Sequence, residues 1–283
     1  MNVGLCQTET YSGDLEGNLR RVLTDIRAAS IKGAELIITP ECVLSGYAGS
    51  YSGDEKIRFA ESAVLSNGSE LTAVRDIAYE LKTDIIFGFS EKDKTNKYYN
   101  TAILIGKNGD TVYSYRKIHC RNFESHVHDG LFTPGNDFHV AQRSYSDGIF
   151  GVGVMICFDR EIVESVRCLR ALGVDFIACP LATNTYCLES AHSAGISANN
   201  ETITRARAAE NEVAIAVVNH AVRFNGGSYV VGALGETIIQ LGAEAQTAVI
   251  NVPLNDVRNK LHADPSGWMG WGYRRPEIYG KYI

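Results

Sequence analysis

The stretch Gly151-Val152-Gly153-Val154-Met155-Ile156-Cys157-Phe158-Asp159-Arg160-Glu161 sets the reading of this chain. Its first half is a short, nearly continuous apolar run of strand length, and its second half turns abruptly polar. Immediately afterwards Val163, Val166, Leu169 and Leu172 recur at helical spacing, and Gly173 closes that helix. Asp175 to Cys179 then reads as another buried strand. The unit is therefore strand, polar turn, helix, strand. The same grammar opens the chain: a β-like run from Asn2 to Gln7, a helix face of Leu19, Val22, Leu23 and Ile26 ended by Gly33, and a buried strand over Ala34 to Thr39 stopped by Pro40. Leu71, Val74, Ala78 and Leu81 mark a second amphipathic helix leading into Asp84 to Phe89.

Further out the pattern adds hairpins. Thr101 to Gly106 and Thr111 to Tyr115 flank Lys107-Asn108-Gly109-Asp110, and Asn-Gly suits the left-handed turn of a tight hairpin. Thr202 to Glu212 reads as a helix, Val213 to Asn219 as a buried β run, Ser228 to Leu234 with Glu236 to Leu241 as a hairpin, and Thr247 to Val252 as a final strand. The most irregular stretches are 118–138 and 181–200, and long irregular stretches inside a compact domain are commonly functional. No Pro/Gly/Ser-rich linker divides the chain, so residues 1–283 read as one α/β domain with mixed or layered sheets.

Composition narrows the function classes. At 283 residues, with 45% apolar and 21% charged residues, the chain is ordinary for a folded protein. Its net charge is −6 and it has no basic run, which argues against nucleic acid as partner, because that affinity comes mainly from neutralising phosphates. The longest near-apolar run, Ile149 to Phe158, is about half of a bilayer span, and the N-terminus has no signal-like pattern. Seven scattered cysteines without CxxC spacing point to reduced thiols in a cytoplasmic protein.

Chemistry concentrates at strand ends. Cys157 closes an apolar strand at a strand-to-helix turn, where free backbone N–H groups stabilise a thiolate or an oxyanion; it reads equally as a buried core cysteine. Glu41 stands just beyond the strand ending at Pro40, a position for a general base whose pKa burial raises, or for a helix-end acid or surface ion pair. Lys117 follows the strand Thr111 to Arg116 and suits an oxyanion stabiliser, or a solvated surface charge.

Taken together, Pro40-Glu41, Tyr115-Arg116-Lys117 and Met155-Ile156-Cys157-Phe158-Asp159-Arg160-Glu161 resemble the three signature segments of the nitrilase superfamily, the carbon–nitrogen hydrolases. Thr133-Pro134-Gly135, Arg205-Ala206-Arg207-Ala208-Ala209-Glu210-Asn211, Gly235-Glu236 and Tyr273-Arg274-Arg275-Pro276 are similar to further segments of that family. The resemblance implies an α-β-β-α sandwich and a metal-free, cofactor-free hydrolase of small non-peptide amides, N-carbamoyl groups or nitriles. By position it makes Glu41 the general base, Lys117 the oxyanion stabiliser, Cys157 the nucleophile and the Phe158 N–H part of the oxyanion hole. It also implies a homodimer or larger homo-oligomer, with the tail of about 262–283, including Trp268 and Trp271, at the interface.

One departure stands out. Many members carry a second glutamate between lysine and cysteine, often six residues before the proline of Pro-Gly; here that position is His128, followed by Asp129, with Glu124 a little earlier. Glu124, His128 and Asp129 are all candidates for a second acid or for substrate positioning, and Asn184 is a candidate pocket residue. His119, Cys120, His126 and His128 also permit a zinc reading, against which stands the lack of a second cluster at ligand spacing. Arg205, Arg207 and Glu210 read as a helical ion-pair network or an anion site. The leading expectation is an amidase or carbamoylase, with a nitrilase and a non-catalytic scaffold of the same fold as the competing readings.

Overall fold

The computed structural model describes residues 1–47, 53–183, 201–256 and 270–281. Twelve strands among these residues form two six-stranded sheets. The first contains β1 (Asn2–Gln7), β2 (Leu36–Ile38), β3 (Asp84–Lys92), β4 (Tyr98–Ile105), β5 (Thr111–Arg116) and β12 (Gln246–Asn251), in the order β12-β1-β2-β3-β4-β5. The second contains β6 (Val140–Tyr145), β7 (Gly148–Val154), β8 (Phe176–Pro180), β9 (Ala214–Val218), β10 (Tyr229–Val231) and β11 (Thr237–Gln240), in the order β11-β10-β9-β8-β7-β6. In each sheet three parallel strands, β1-β2-β3 and β7-β8-β9, are flanked by antiparallel ones.

Period-2 alternation explains the layering. On β2, Leu36 and Ile38 enter a core shared with Val152, Val154 and Ile177 of the other sheet, while Ile37 faces the opposite way. Ile37 joins Ile85 and Phe87 in a second core beneath α1 (Leu15–Ile31) and α3 (Ser69–Leu81), which supply Val22, Ile26, Leu71 and Val74. The carboxylate of Asp14 caps α1 by accepting from Gly17 N–H at 3.1 Å. The second sheet is covered by α4 (Val163–Ala171) and α5 (Glu201–Asn211), through Val166, Leu169 and Ala208. The order of layers is α-β-β-α, as the resemblance implies.

The differences from the sequence reading have local causes. The strand expected from Thr101 begins at Tyr98, so Asn100 lies inside the sheet opposite Ser90. The strand Val140–Tyr145 and the helix α2 (Gly53–Glu61) escaped the reading. The first is a polar edge strand, and the second buries only Phe59. The hairpin expected over 228–241 pairs only at Tyr229–Val231 and Thr237–Gln240. The stretch 118–138 holds one 3-10 turn at His126–His128 and isolated bridges from Phe132 to Tyr98 and Ser125. No helix among the described residues is long and apolar enough to cross a membrane.

Candidate active site

Three strand ends converge. β2 runs out into Thr39-Pro40-Glu41, and the neighbouring strand must let this turn approach. It does so at Gly88, where a Cβ would stand 2.3 Å from the Pro40 carbonyl oxygen. Thr39 Oγ1 accepts from Gly88 N–H at 3.0 Å, fixing the turn against β3. His220 holds it from the other sheet: Nε2 donates to the Glu41 carbonyl at 2.7 Å, so Nδ1 is the acceptor for Thr10 Oγ1 at 2.7 Å. Burial keeps this imidazole neutral, with its pKa pushed down to about 3.

Lys117 follows β5, and its N–H donates to Asn100 C=O at 2.8 Å. The Pro-Gly segment presses on it from outside. Gly135 N–H donates to Lys117 C=O at 2.8 Å, and a Cβ on Gly135 would stand 2.1 Å from Arg116 O. This close approach is the physical reason for glycine there.

The side chains meet with no solvent between them. Lys117 Nζ donates to Glu41 Oε1 at 2.9 Å and to Glu124 Oε1 and Oε2 at 2.8 and 3.0 Å, and all three side chains are fully buried. Asn100 Nδ2 donates to the same Glu41 Oε1 at 2.6 Å, while Glu41 Oε2 is buried with no hydrogen-bond partner among the described residues. Glu124 is held by Tyr47 OH at 2.9 Å and by Arg121 N–H at 2.8 Å. Burial raises Glu41 above the ordinary carboxylate range, with Lys117 opposing and Glu124 reinforcing. Burial pulls the Lys117 ammonium down, but Glu124 and Glu41 more than offset it and hold it well above its usual value.

Cys157 lies at the end of β7, in the first turn of a 3-10 segment (Cys157–Glu161), with φ +48° and 8% exposure. A non-glycine residue in this left-handed region carries backbone strain of order 1–3 kcal/mol and is held there by its surroundings. Here the clamp is Asp159. Its Oδ2 accepts from Ile156 N–H at 3.0 Å and Tyr115 OH at 2.7 Å, and its Oδ1 from His119 N–H at 2.9 Å. Asp159 thereby ties the turn of Cys157 to the segment carrying Lys117. The first backbone bond of the turn runs from Asp159 N–H to Ile156 C=O, so Phe158 N–H lies among the amides that a helical start leaves without a helical acceptor. Burial, reinforced by Glu41, pushes the Cys157 thiol up, while Lys117 and Arg160 pull it down.

Glu41, Lys117 and Cys157 are thus neighbours, and of the three candidates for a further acid only Glu124 joins them. His128 is exposed, and the Asp129 carboxylate, 90% exposed, pairs with Lys56 at 3.1 Å. Asn184, Trp268 and Cys187 lie outside the described residues. Cys42 donates its thiol to Asn100 Oδ1 at 3.4 Å, and Cys120 approaches Lys117 C=O at 3.8 Å. The histidines disperse: His119 Nδ1 lies 2.8 Å from Asp159 and His126 Nδ1 lies 3.2 Å from Phe132 C=O. Among the described residues no group of three or more His, Cys, Asp or Glu side chains is placed to hold a metal. Arg207 pairs with Glu210 at 3.1 Å and Arg167 reaches Glu210 at 3.6 Å, forming an ion-pair network, whereas Arg205 donates to Gly235 C=O at 2.7 Å. Asn100, Tyr47 and His220 escaped the sequence reading; Asn100 precedes the apolar run that marked its strand.

Residues 2–260 match the carbon-nitrogen hydrolase family. The chain belongs to the carbon–nitrogen hydrolases of the nitrilase superfamily, and it is a hydrolase. Over 249 residues it is 28% identical to the omega-amidase NIT2 of Xenopus tropicalis, covering 84% of this chain and 83% of that protein. Over 155 residues it is 35% identical to a nitrilase of Pyrococcus abyssi; this match spans only 55% of each chain. An (R)-stereoselective amidase of Pseudomonas sp. is 27% identical over 265 residues, 91% of this chain and 87% of that protein. Among solved structures, Saccharomyces cerevisiae Nit3 superposes with a TM-score of 0.78 at 23% identity, covering 94% of each chain. The amidase of Nesterenkonia sp. AN1, with the acetamide moiety of fluoroacetamide on its active-site cysteine, superposes with a TM-score of 0.76 at 24% identity, covering 100% of this chain and 97% of that one. Both share the fold of this carbon–nitrogen hydrolase.

Proposed function

We propose that this hydrolase cleaves the C–N bond of a small amide or N-carbamoyl compound through a thioester on Cys157. The observation that carries the reading is the asymmetry of Glu41: Oε1 is taken by Lys117 and Asn100, and Oε2 is buried and, among the described residues, unpartnered in the neighbourhood of the Cys157 thiol. An acceptor in that state is ready to take a proton.

Glu41 Oε2 removes the thiol proton as the Cys157 sulfur attacks the carbonyl carbon, and the carbonyl electron pair moves onto oxygen. Lys117 Nζ and Phe158 N–H stabilise that oxyanion; one such donor is worth about 3 kcal/mol of barrier. Protonated Glu41 then gives its proton to the departing nitrogen, the C–N bond breaks, and ammonia or an amine leaves. Glu41, again ionised, activates a water that hydrolyses the thioester. A pKa raised by burial suits a carboxylate that must gain and lose a proton in each cycle. Glu124 keeps Lys117 charged and in place throughout.

A nitrile is the second substrate class, supported by the similarity to the Pyrococcus abyssi nitrilase. The test is ammonia release from ω-amides of dicarboxylic acids, N-carbamoyl amino acids and amines, and aliphatic nitriles. Release from an amide or carbamoyl compound is expected; release from nitriles alone moves the reading to a nitrilase, and release from none overturns it. We also propose that the tail forms a subunit contact. Its described part carries Trp271 against Arg170 and Arg274 at 5.3 and 4.3 Å and leaves Tyr273 71% exposed.

A further inference from the structure

Arg160 is the largest fully enclosed side chain of the protein's described residues, at 1% exposure, and it stands three residues after Cys157 in the same turn. Its Nε and Nη1 are enclosed and have no hydrogen-bond partner among the described residues. The adjacent carboxylate does not answer it, because Asp159 is committed to Ile156, Tyr115 and His119. A buried charge with unsatisfied donors is costly, so a site that keeps one gains little stability from it.

We infer that Arg160 is an electrostatic positioning residue, a buried cation beneath the nucleophile that stabilises negative charge on the Cys157 sulfur and at the carbon it attacks. The inference rests on the reading of Cys157 as nucleophile. The charged and titratable groups around the two residues support it. Facing Cys157 are Glu41 after β2, Lys117 after β5, Glu124 in the stretch beyond, and Arg160 on its own turn. Facing Arg160 are Tyr229 of β10, Cys179 of β8, Cys157 and Glu161. The groups that dominate Glu41 are Lys117, Glu124 and Asn100. Lys117 therefore acts on both ends of the proton transfer, whereas Arg160 acts chiefly on the sulfur end. A charge placed in that way favours the state in which the proton has moved to Glu41 and the negative charge has moved toward sulfur and oxyanion. It acts without touching the substrate.

The experiment compares R160M, R160Q and R160K with the unchanged protein by iodoacetamide labelling from pH 5 to 10. Cys157 is read by peptide mass spectrometry, and exposed Cys168 serves as internal reference. The expected result is that R160M and R160Q slow Cys157 labelling at least about tenfold relative to Cys168 throughout this range, because a smaller fraction of the thiol is ionised at each pH. Alongside, kcat on the best amide of the substrate panel falls at least about tenfold at little-changed KM, and R160K restores most of both. Should R160M fail to fold, the R160Q and R160K pair carries the comparison. Unslowed Cys157 labelling in the neutral variants overturns the inference. So does a rise in KM confined to acidic substrates at unchanged kcat, which would make Arg160 a substrate contact. If the unchanged protein hydrolyses no amide while its Cys157 labelling still depends on Arg160, the functional reading fails and the inference stands.

Discussion

Lys117 holds Glu41 by one oxygen only: Nζ lies 2.9 Å from Oε1, and Oε2 is left buried without a partner among the described residues. Lys117 is simultaneously bound to both oxygens of Glu124, so a single ammonium stands between two buried carboxylates. In the proposed reaction this asymmetry separates Glu124, a carboxylate that anchors, from Glu41, one that exchanges a proton.

E41Q removes the base and keeps the shape. Turnover should fall by about 10²- to 10⁴-fold. Stability should move the other way. Burial raises the folded-state pKa of Glu41, so what this group adds to stability is present below its unfolded pKa and lost as pH rises through the folded value. At neutral pH its ionised form is a burden, and Lys117 retains Glu124. The variant should melt no lower than the unchanged protein at pH 7, and calorimetry checks this.

The pH profile carries the same signature. The acid limb of kcat/KM should have its midpoint above 4.5, the ordinary value for this carboxylate, because Glu41 must lose its proton to act. Lys117 is held well above its usual 10.5, so it should stay charged up to that pH and set no basic limb below it. An acid limb at or below 4.5 would contradict the assignment of Glu41.

Asn100 competes with nothing for Glu41 Oε1; it shares that oxygen with Lys117 and so fixes which oxygen stays open. N100A removes a hydrogen bond to a charged group, worth about 1.5–3 kcal/mol, and should lower kcat by about 10- to 100-fold with KM little changed. Steady-state kinetics on the best substrate of the panel reads this directly.

Glu124, His128 and Asp129 should separate cleanly. E124A leaves the buried Lys117 ammonium with Glu41 Oε1 alone and frees Tyr47 OH and Arg121 N–H, and should cost about 3–5 kcal/mol of stability together with most of the activity, measured by denaturant unfolding and ammonia release. H128A and D129N alter exposed side chains and should leave both within about twofold.

The strand–helix alternation and the placing of Glu41, Lys117 and Cys157 just after strands were legible in the sequence, because a run of strand pattern that turns abruptly polar marks where the chain leaves a sheet. What surrounds them was not. Glu124 and His128 are four residues apart in an irregular stretch, and periodicity says nothing about which turns inward. The choice depends on a turn in which Glu124 and Ser125 N–H groups bond Arg121 C=O at 2.9 and 3.0 Å, and on Gly130, where a Cβ would collide with the Glu124 backbone. Asn100 was hidden for another reason: its strand begins three residues earlier than its apolar pattern, at polar Tyr98-Tyr99-Asn100. Pro134-Gly135 was visible as a motif, but its cause, the 2.1 Å approach to Arg116 O, is a tertiary contact.

In the proposed reaction Cys157 carries the acyl group. The most direct measurement is acid quenching during turnover of the best amide, followed by peptide mass spectrometry and compared with the C157A protein. An acyl mass is expected on the peptide containing Cys157, with no adduct and no ammonia above background from folded C157A, and near-complete loss in C157S. Ammonia release by C157A at the unchanged rate, or the acyl mass on a different residue, would contradict it.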